Sequence, residues 1–158
     1  MIRFTDLSIH WPEVVRFRGR VAGRYRPKVR ADCVVILPCS KRKPYSMSRT
    51  HRLFSGVIRP VRRRVRIEEI VLTSPLGAVP RALETVPPAR NYDIAVTGIW
   101  SEEELAITSH SLSSVLRACA NGNTDIVAHV SGGYLESCRR AEADLGWSFR
   151  YTGVDRPA

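Results

Sequence analysis

Apolar positions along this chain follow two alternating periods. Cys33-Val34-Val35-Ile36-Leu37 is a short, β-branched run closed by Pro38, the pattern of a strand covered on both faces that ends in a loop. Arg64 to Thr73 alternates charged and apolar residues into Ile70-Val71-Leu72 and predicts a second core strand, and Tyr92 to Thr97 predicts a third. Ser48 to Val57 predicts a short helix between the first two strands, and Ser74 to Pro80, with two prolines and a glycine, a loop at the sheet edge where the first strand ends. Further on the period lengthens. Ser101-Glu102-Glu103-Glu104 matches a capping box with acids over the first turn, and Leu105, Thr108, Leu112, Val115, Leu116 and Cys119 repeat at helical spacing to about Ala120. After Asn121-Gly122-Asn123, Thr124 to Val130 predicts the fourth strand and Ser131-Gly132-Gly133 a turn. Tyr134, Leu135, Cys138, Ala141 and Leu145 then form the inner stripe of another helix, and Trp147 to Tyr151 a last strand. Strands and helices in this order predict an α/β fold, a three-layer α/β/α arrangement around a mostly parallel sheet. In such sheets ligands gather at the carboxyl ends of the strands.

Length and charge refine this picture. The 158 residues suit one globular domain. Residues 1–31 alternate basic, aromatic and β-branched positions, as in Val14-Val15-Arg16-Phe17-Arg18-Gly19-Arg20-Val21, and predict a basic arm or hairpin packed on a core of residues 32–158. Residues 1–66 hold 18 of the 25 Lys and Arg but only 3 of the 15 acids. An excess confined to one half points to a polyanionic partner, and arginine favours forked contacts with phosphate. Arg18 and Arg20 in the arm, Lys41 and Arg42 in the loop, and Arg62, Arg63 and Arg64 are the candidate nucleic-acid contacts.

The four cysteines, Cys33, Cys39, Cys119 and Cys138, form no CxxC pair, so neither a zinc ribbon nor a thioredoxin-type site is expected. No metal-ligand spacing or phosphate-binding glycine loop is visible, and neither metal nor cofactor is expected. No apolar run approaches the ~20 residues that cross a bilayer. A cytoplasmic protein with reduced thiols is the expectation.

The loop after the first strand carries the chemistry. Pro38-Cys39-Ser40-Lys41-Arg42-Lys43-Pro44-Tyr45-Ser46-Met47-Ser48-Arg49-Thr50-His51 packs a thiol, lysines, hydroxyls and a histidine into one segment. Cationic surroundings favour thiolate, which makes Cys39 a candidate nucleophile; the alternative is an inert cysteine that caps the core. His51 is a candidate proton shuttle. Lys43 precedes a proline, which favours an extended backbone that aims its ammonium into the cleft. Tyr45 is placed to stack on a base or close the pocket.

These residues carry a resemblance. Pro38-Cys39, Lys43-Pro44-Tyr45, Ser48 and His51, at their spacing here, resemble the signature of archaeosine synthase. Residues 73–84, 91–101 and 128–134 agree with the same family in order, so that the likeness covers roughly residues 32–140. The resemblance implies a relative of the tRNA-guanine transglycosylases that modifies a base already inserted, with 7-cyano-7-deazaguanine in tRNA or DNA as substrate. In that family the nitrile accepts the amine of free lysine, and a radical-enzyme partner later cleaves the adduct to the formamidino base. It also implies a core like the uracil-DNA glycosylase fold. A nitrile is trapped by a thiolate as a thioimidate, which an amine then releases. On this reading Cys39 is the nucleophile, His51 moves a proton, and Lys43 and Ser48 polarise the nitrile or orient the substrate. Ser40, Tyr45, Ser74 and Trp100 contact the base, while Asp93 and Glu84 are candidate anchors for the lysine amine. Direct attack by lysine, with Cys39 only packing, is the alternative.

The family's full-length members also carry a transglycosylase-like barrel and an RNA-binding domain, for which 158 residues leave no room. Three expectations follow: a split synthase with separately encoded transglycosylase-like or radical subunits, a stand-alone core acting on DNA, and a non-catalytic subunit that binds nucleic acid. A small DNA glycosylase ranks last, because Cys39-Ser40-Lys41 fills the place of its water activator.

Overall fold

The computed structural model describes residues 2–3, 8–93 and 99–152. Along the chain run β1 (Ile2–Arg3), α1 (Pro12–Arg24), β2 (Cys33–Pro38), α2 (Arg49–Arg62), β3 (Ile67–Thr73), β4 (Gly77–Pro80), β5 (Tyr92–Asp93), α3 (Glu102–Cys119), β6 (Asp125–His129), α4 (Gly132–Leu145) and β7 (Arg150–Thr152). Five strands make the central sheet in the order β4-β3-β2-β6-β7, and every pair in it is parallel except β3 with β4. β1 and β5 form a separate parallel pair.

Side-chain alternation along β2 builds the layers. Val34 and Ile36 point into a core shared with Phe17 of α1, Leu112 and Leu116 of α3 and Cys138 of α4, whereas Cys33, Val35 and Leu37 meet Phe54 and Ile58 of α2 and Ile67 of β3. Three helices therefore cover one face and α2 covers the other. Each fully buried Ile or Leu in these clusters contributes about 1.5–3 kcal/mol relative to exposure. This is the α/β architecture that the alternating periods predict.

Four elements differ from the sequence reading. Residues 12–24 are a helix, not a hairpin or extended arm. Val14, Phe17 and Val21 are the buried positions, spaced 3 and 4 apart as one helical face requires, and Pro12 stands where its missing N–H costs nothing. The alternation from Val15 to Val21 fits period 2 as well, but Val15 is exposed and Val14 buried, as only the helix allows. α2 runs on to Arg62 rather than stopping at Val57, because Ile58 docks on Leu37 and Ile67. The segment 74–80 is not all loop: 77–80 returns antiparallel beside β3 with Thr73 opposite Gly77, its two prolines falling outside the pairing or on an edge strand where they are tolerated. Tyr92–Asp93 pairs with β1 outside the central sheet, and 94–97, the rest of the expected third strand, lie outside the described residues.

Gly77 makes the β3–β4 reversal, with φ +84° in the left-handed region. A Cβ there would sit 2.4 Å from Ser111 Oγ, the atom that accepts the Ala78 N–H at 2.9 Å. Gly77→Ala is expected to destabilise the domain by about 1–3 kcal/mol, read as a lower midpoint in urea with an unchanged slope.

Candidate active site

Three helix N-termini lie at the carboxyl edge of the parallel strands: β2 and β6 feed into α2 and α4, and α3 is tied there through Ser74, which follows β3. β2 ends at Pro38 and leads through the motif loop to α2, whose N-cap is Ser48; its Oγ accepts the His51 N–H at 3.1 Å. β6 leads through Ser131 into α4, whose first turn carries Tyr134. α3 starts with the full capping box at Ser101 and Glu104. Glu104 also accepts from Ser74 Oγ at 2.6 Å, which ties the β3 end to the same edge.

Cys39, one residue past β2, is buried with its Sγ 3.0 Å from the Tyr134 hydroxyl. Burial raises the Tyr134 pKa well above its ordinary value and keeps the phenol protonated. Trp100 packs edge-on against Tyr134 with ring centroids 4.6 Å apart. Thiol, phenol and indole thus form one cluster. Burial pushes the pKa values of the other three thiols up, Cys119 to about 12, with Asp125 adding to the effect at the half-buried Cys33.

His51 is fully buried and both ring nitrogens are engaged. Nε2 lies 2.8 Å from the Pro38 carbonyl and Nδ1 2.8 Å from Arg81 Nη2. A guanidinium only donates, so Nδ1 accepts and Nε2–H donates to Pro38, the residue before Cys39. Desolvation lowers the His51 pKa, with Arg81 adding to the effect. The native state therefore holds fewer protons here than the unfolded chain does, and stability falls as pH drops below about 6.5. We expect the melting temperature to decline between pH 7.5 and 5.5, and this part of the decline to disappear in His51→Gln.

Arg81 is the hub the sequence reading missed. Besides His51, it donates to Glu69 Oε1 at 3.0 and 3.3 Å and to Glu84 Oε2 at 3.0 Å. Glu69, buried in β3, also takes Arg62. Glu84 accepts the Ser46 N–H at 3.2 Å and the Ser46 hydroxyl. One guanidinium thus joins β3, the segment after β4, the motif loop and the N-terminus of α2. The signal was an arginine four residues past Gly77 in a stretch otherwise apolar, together with Glu69 inside a β-branched strand.

The other expected residues are distributed as follows. Tyr45 is fully buried, stacked on His51 at 5.7 Å and joined to Thr73 Oγ1 through the Tyr92 hydroxyl, with both O–O distances 2.6 Å; it closes the floor and offers no face to a base. Lys43 follows a turn back onto its own loop rather than reaching outward: its ammonium donates to the Ser40 and Lys41 carbonyls and lies 4.4 Å from the centroid of the Tyr92 ring. Ser40 Oγ donates to the Arg42 carbonyl at 2.9 Å. Asp93 is fixed by its backbone at the end of β5. Arg18 turns inward and donates to the Pro75 and Ile9 carbonyls at 2.7 and 2.6 Å, and Arg62 is held by Glu69 and the Ile67 carbonyl. Arg20, Lys41, Arg42, Arg63 and Arg64 are exposed. Among the described residues, no cluster of His, Cys, Asp or Glu is arranged to hold a metal, and no helix is long and apolar enough to cross a membrane.

Comparison with known proteins gives the chain relatives. The profile of the family described as "Domain of unknown function (DUF5591)" matches residues 14–158. The chain belongs to the DUF5591 family. The chain is also similar to the archaeosine synthase subunit alpha of Methanosarcina acetivorans, 46% identical over 140 residues, which span 89% of this chain and 22% of the relative. The archaeosine synthase subunit alpha of Thermococcus kodakarensis is 36% identical over 95% of the chain and 26% of the relative, and the archaeosine synthase of Haloferax volcanii 37% over 97% and 25%. This DUF5591 chain thus spans about a quarter of the length of those relatives. The crystal structure of AF0587, a protein of unknown function, superposes with a TM-score of 0.65 at 32% identity, over 89% of this chain and 44% of that one. The resemblance read from the motif loop and the three later segments is thereby shown.

Proposed function

We propose that this domain adds an amine, that of free lysine, to the nitrile of 7-cyano-7-deazaguanine in tRNA, the step of archaeosine formation that precedes cleavage by a radical-enzyme partner. The observation that carries the reading is the Cys39 Sγ set 3.0 Å from the Tyr134 hydroxyl at the carboxyl edge of the sheet. Relatives named archaeosine synthase, aligned over nearly the whole chain, supply the substrate class.

The chemistry balances with these two groups alone. The Cys39 thiol adds across the nitrile: sulfur bonds to carbon, one C–N π bond breaks, and the thiol proton reaches nitrogen by way of the Tyr134 phenol, giving a thioimidate. The lysine amine then attacks the same carbon, the C–S bond breaks, and an amine proton returns to sulfur, leaving an amidine. No electrons are gained or lost. His51, with both nitrogens engaged, positions the Pro38 peptide and hence Cys39 instead of carrying the proton. Lys43 holds the loop carbonyls, and Trp100 offers the stacking surface that the buried Tyr45 does not.

Nucleosides from tRNA containing 7-cyano-7-deazaguanine, digested after incubation with the protein and lysine, test the reading by mass spectrometry. A product heavier by one whole lysine, with no loss of water, is expected. Absence of that product with tRNA, or its formation on DNA alone, would overturn it.

A further inference from the structure

The arginines of the amino-terminal half divide into two sets. Arg18 is turned inward, Arg26 donates to the Ala22 and Tyr25 carbonyls, and Arg30 donates to the Ala120 carbonyl. Arg16, Arg20 and Arg24 are exposed and make no hydrogen bond or ion pair among the described residues. Spaced four apart on α1, they form a ladder with steps of about 6 Å, comparable with the separation of successive phosphates on an extended strand.

A groove runs beside this ladder. Its larger part, about 450 Å³, is lined by apolar Phe17, Val21, Leu83 and Val86 together with the exposed Arg20 and Arg24. A smaller recess of about 150 Å³ shares Phe17 and Arg20 with it and reaches Arg16, Pro87 and Pro88. At the inner end, the Tyr25 hydroxyl donates to Glu68 Oε1 at 2.6 Å. Glu68 sets the polarity: a carboxylate in the wall repels phosphate, so an anion stays at the arginine rim while an uncharged ring enters. A volume of this size takes a nucleotide, whereas a docked peptide helix, about 10 Å across, does not fit. The opposite wall begins one residue after Arg81, so the groove opens beside the segment that supports the active site.

We propose that this groove binds a single-stranded RNA segment, with consecutive phosphates on Arg16, Arg20 and Arg24 and one base on the Phe17–Val21–Leu83 floor. The proposal rests on the RNA substrate of the preceding section and adds where that substrate is held. Arginine contact with phosphate supplies affinity, and the apolar floor supplies the stacking surface that a non-helical strand needs.

Fluorescence anisotropy with a labelled, unstructured 12-nucleotide RNA over a salt series tests it. Replacing Arg16, Arg20 and Arg24 together by Gln is expected to raise Kd at least ten-fold at 0.1 M salt and to flatten the slope of log Kd against log salt by about 2, roughly 0.7 for each phosphate no longer neutralised. Leu83→Trp, which fills the groove and keeps every charge, weakens binding and leaves the slope unchanged. Arg49→Gln/Arg52→Gln/Arg59→Gln on α2 removes the same charge from the opposite face of the sheet and serves as the control; thermal melts establish that each variant is folded. Equal weakening by the two triple variants, an unchanged slope in the α1 triple, or no RNA binding by the unmodified protein would overturn the proposal. The lysine-adduct assay stands apart from it. Adduct formation without groove-dependent binding removes the groove alone, and groove-dependent binding without adduct removes the catalytic reading alone.

Discussion

Cys39→Ala is expected to lower lysine incorporation into the 7-cyano-7-deazaguanine nucleoside by roughly 10³-fold or more, since it removes the atom that forms the covalent intermediate. The thiol is small and its side chain touches the Tyr134 hydroxyl, so the fold should lose no more than about 1–2 kcal/mol. Tyr134→Phe separates the proton from the nucleophile: a loss of about 10²-fold is expected, with Trp100 still packed on the ring. Cys39→Ser should behave like the alanine variant, because a hydroxyl is a far weaker nucleophile at neutral pH. Lysine incorporation measured by mass spectrometry of digested tRNA, together with thermal melts, checks all three. Full activity in Cys39→Ala would make direct attack by lysine the operating route and leave Cys39 as packing.

The largest expected effect on stability belongs to Arg81. Arg81→Met withdraws the guanidinium shared by Glu69, Glu84 and His51, leaving two buried carboxylates short of a partner. Removing one member of a buried charge cluster costs about 3–5 kcal/mol, or roughly 6–20 °C in melting temperature for a domain of this size. Arg62 still reaches Glu69, which places the outcome toward the lower end. Arg81→Lys keeps a charge but loses the fork, so part of the stability returns while His51 loses its Nδ1 donor. With the tautomer no longer set, the Pro38 carbonyl and the thiol beside it lose their support. The lysine variant is therefore expected to drop in turnover by more than its change in Km, a split that a purely structural role would not produce.

The sequence patterns resolved the sheet and its chemistry unevenly. The β-branched run 33–37, the capping box at Ser101 and the helical stripe from Leu105 to Cys119 each have one physical solution, and the structure has it. Residues 12–24 did not, because Val15, Phe17 and Val21 alternate with arginines as a strand would, and only Val14, buried where Val15 is exposed, breaks the tie in favour of a helix. β4 was hidden by Pro75 and Pro80, which argue for a loop unless the strand is known to lie on an edge. Within the site, the crowding of Cys39, Tyr45, Ser48 and His51 at the carboxyl edge was legible from strand-loop-helix order. Their partners were not. Arg81 and Tyr134 lie 30 and 95 residues from the groups they touch, and only the crossover connections bring them there. That distance is why His51 looked like a proton shuttle from its neighbours in sequence and proves, in space, to have both nitrogens occupied.

The most direct test of the nitrile chemistry looks for the covalent intermediate on the protein itself. Intact-protein mass spectrometry after incubation with 7-cyano-7-deazaguanine should reveal an addition equal to the whole base, with no loss of water or ammonia, mapped to Cys39 by peptide sequencing and discharged when lysine is added. An unmodified protein under conditions where lysine transfer to tRNA proceeds, or an adduct that persists in Cys39→Ala, would contradict covalent catalysis by Cys39.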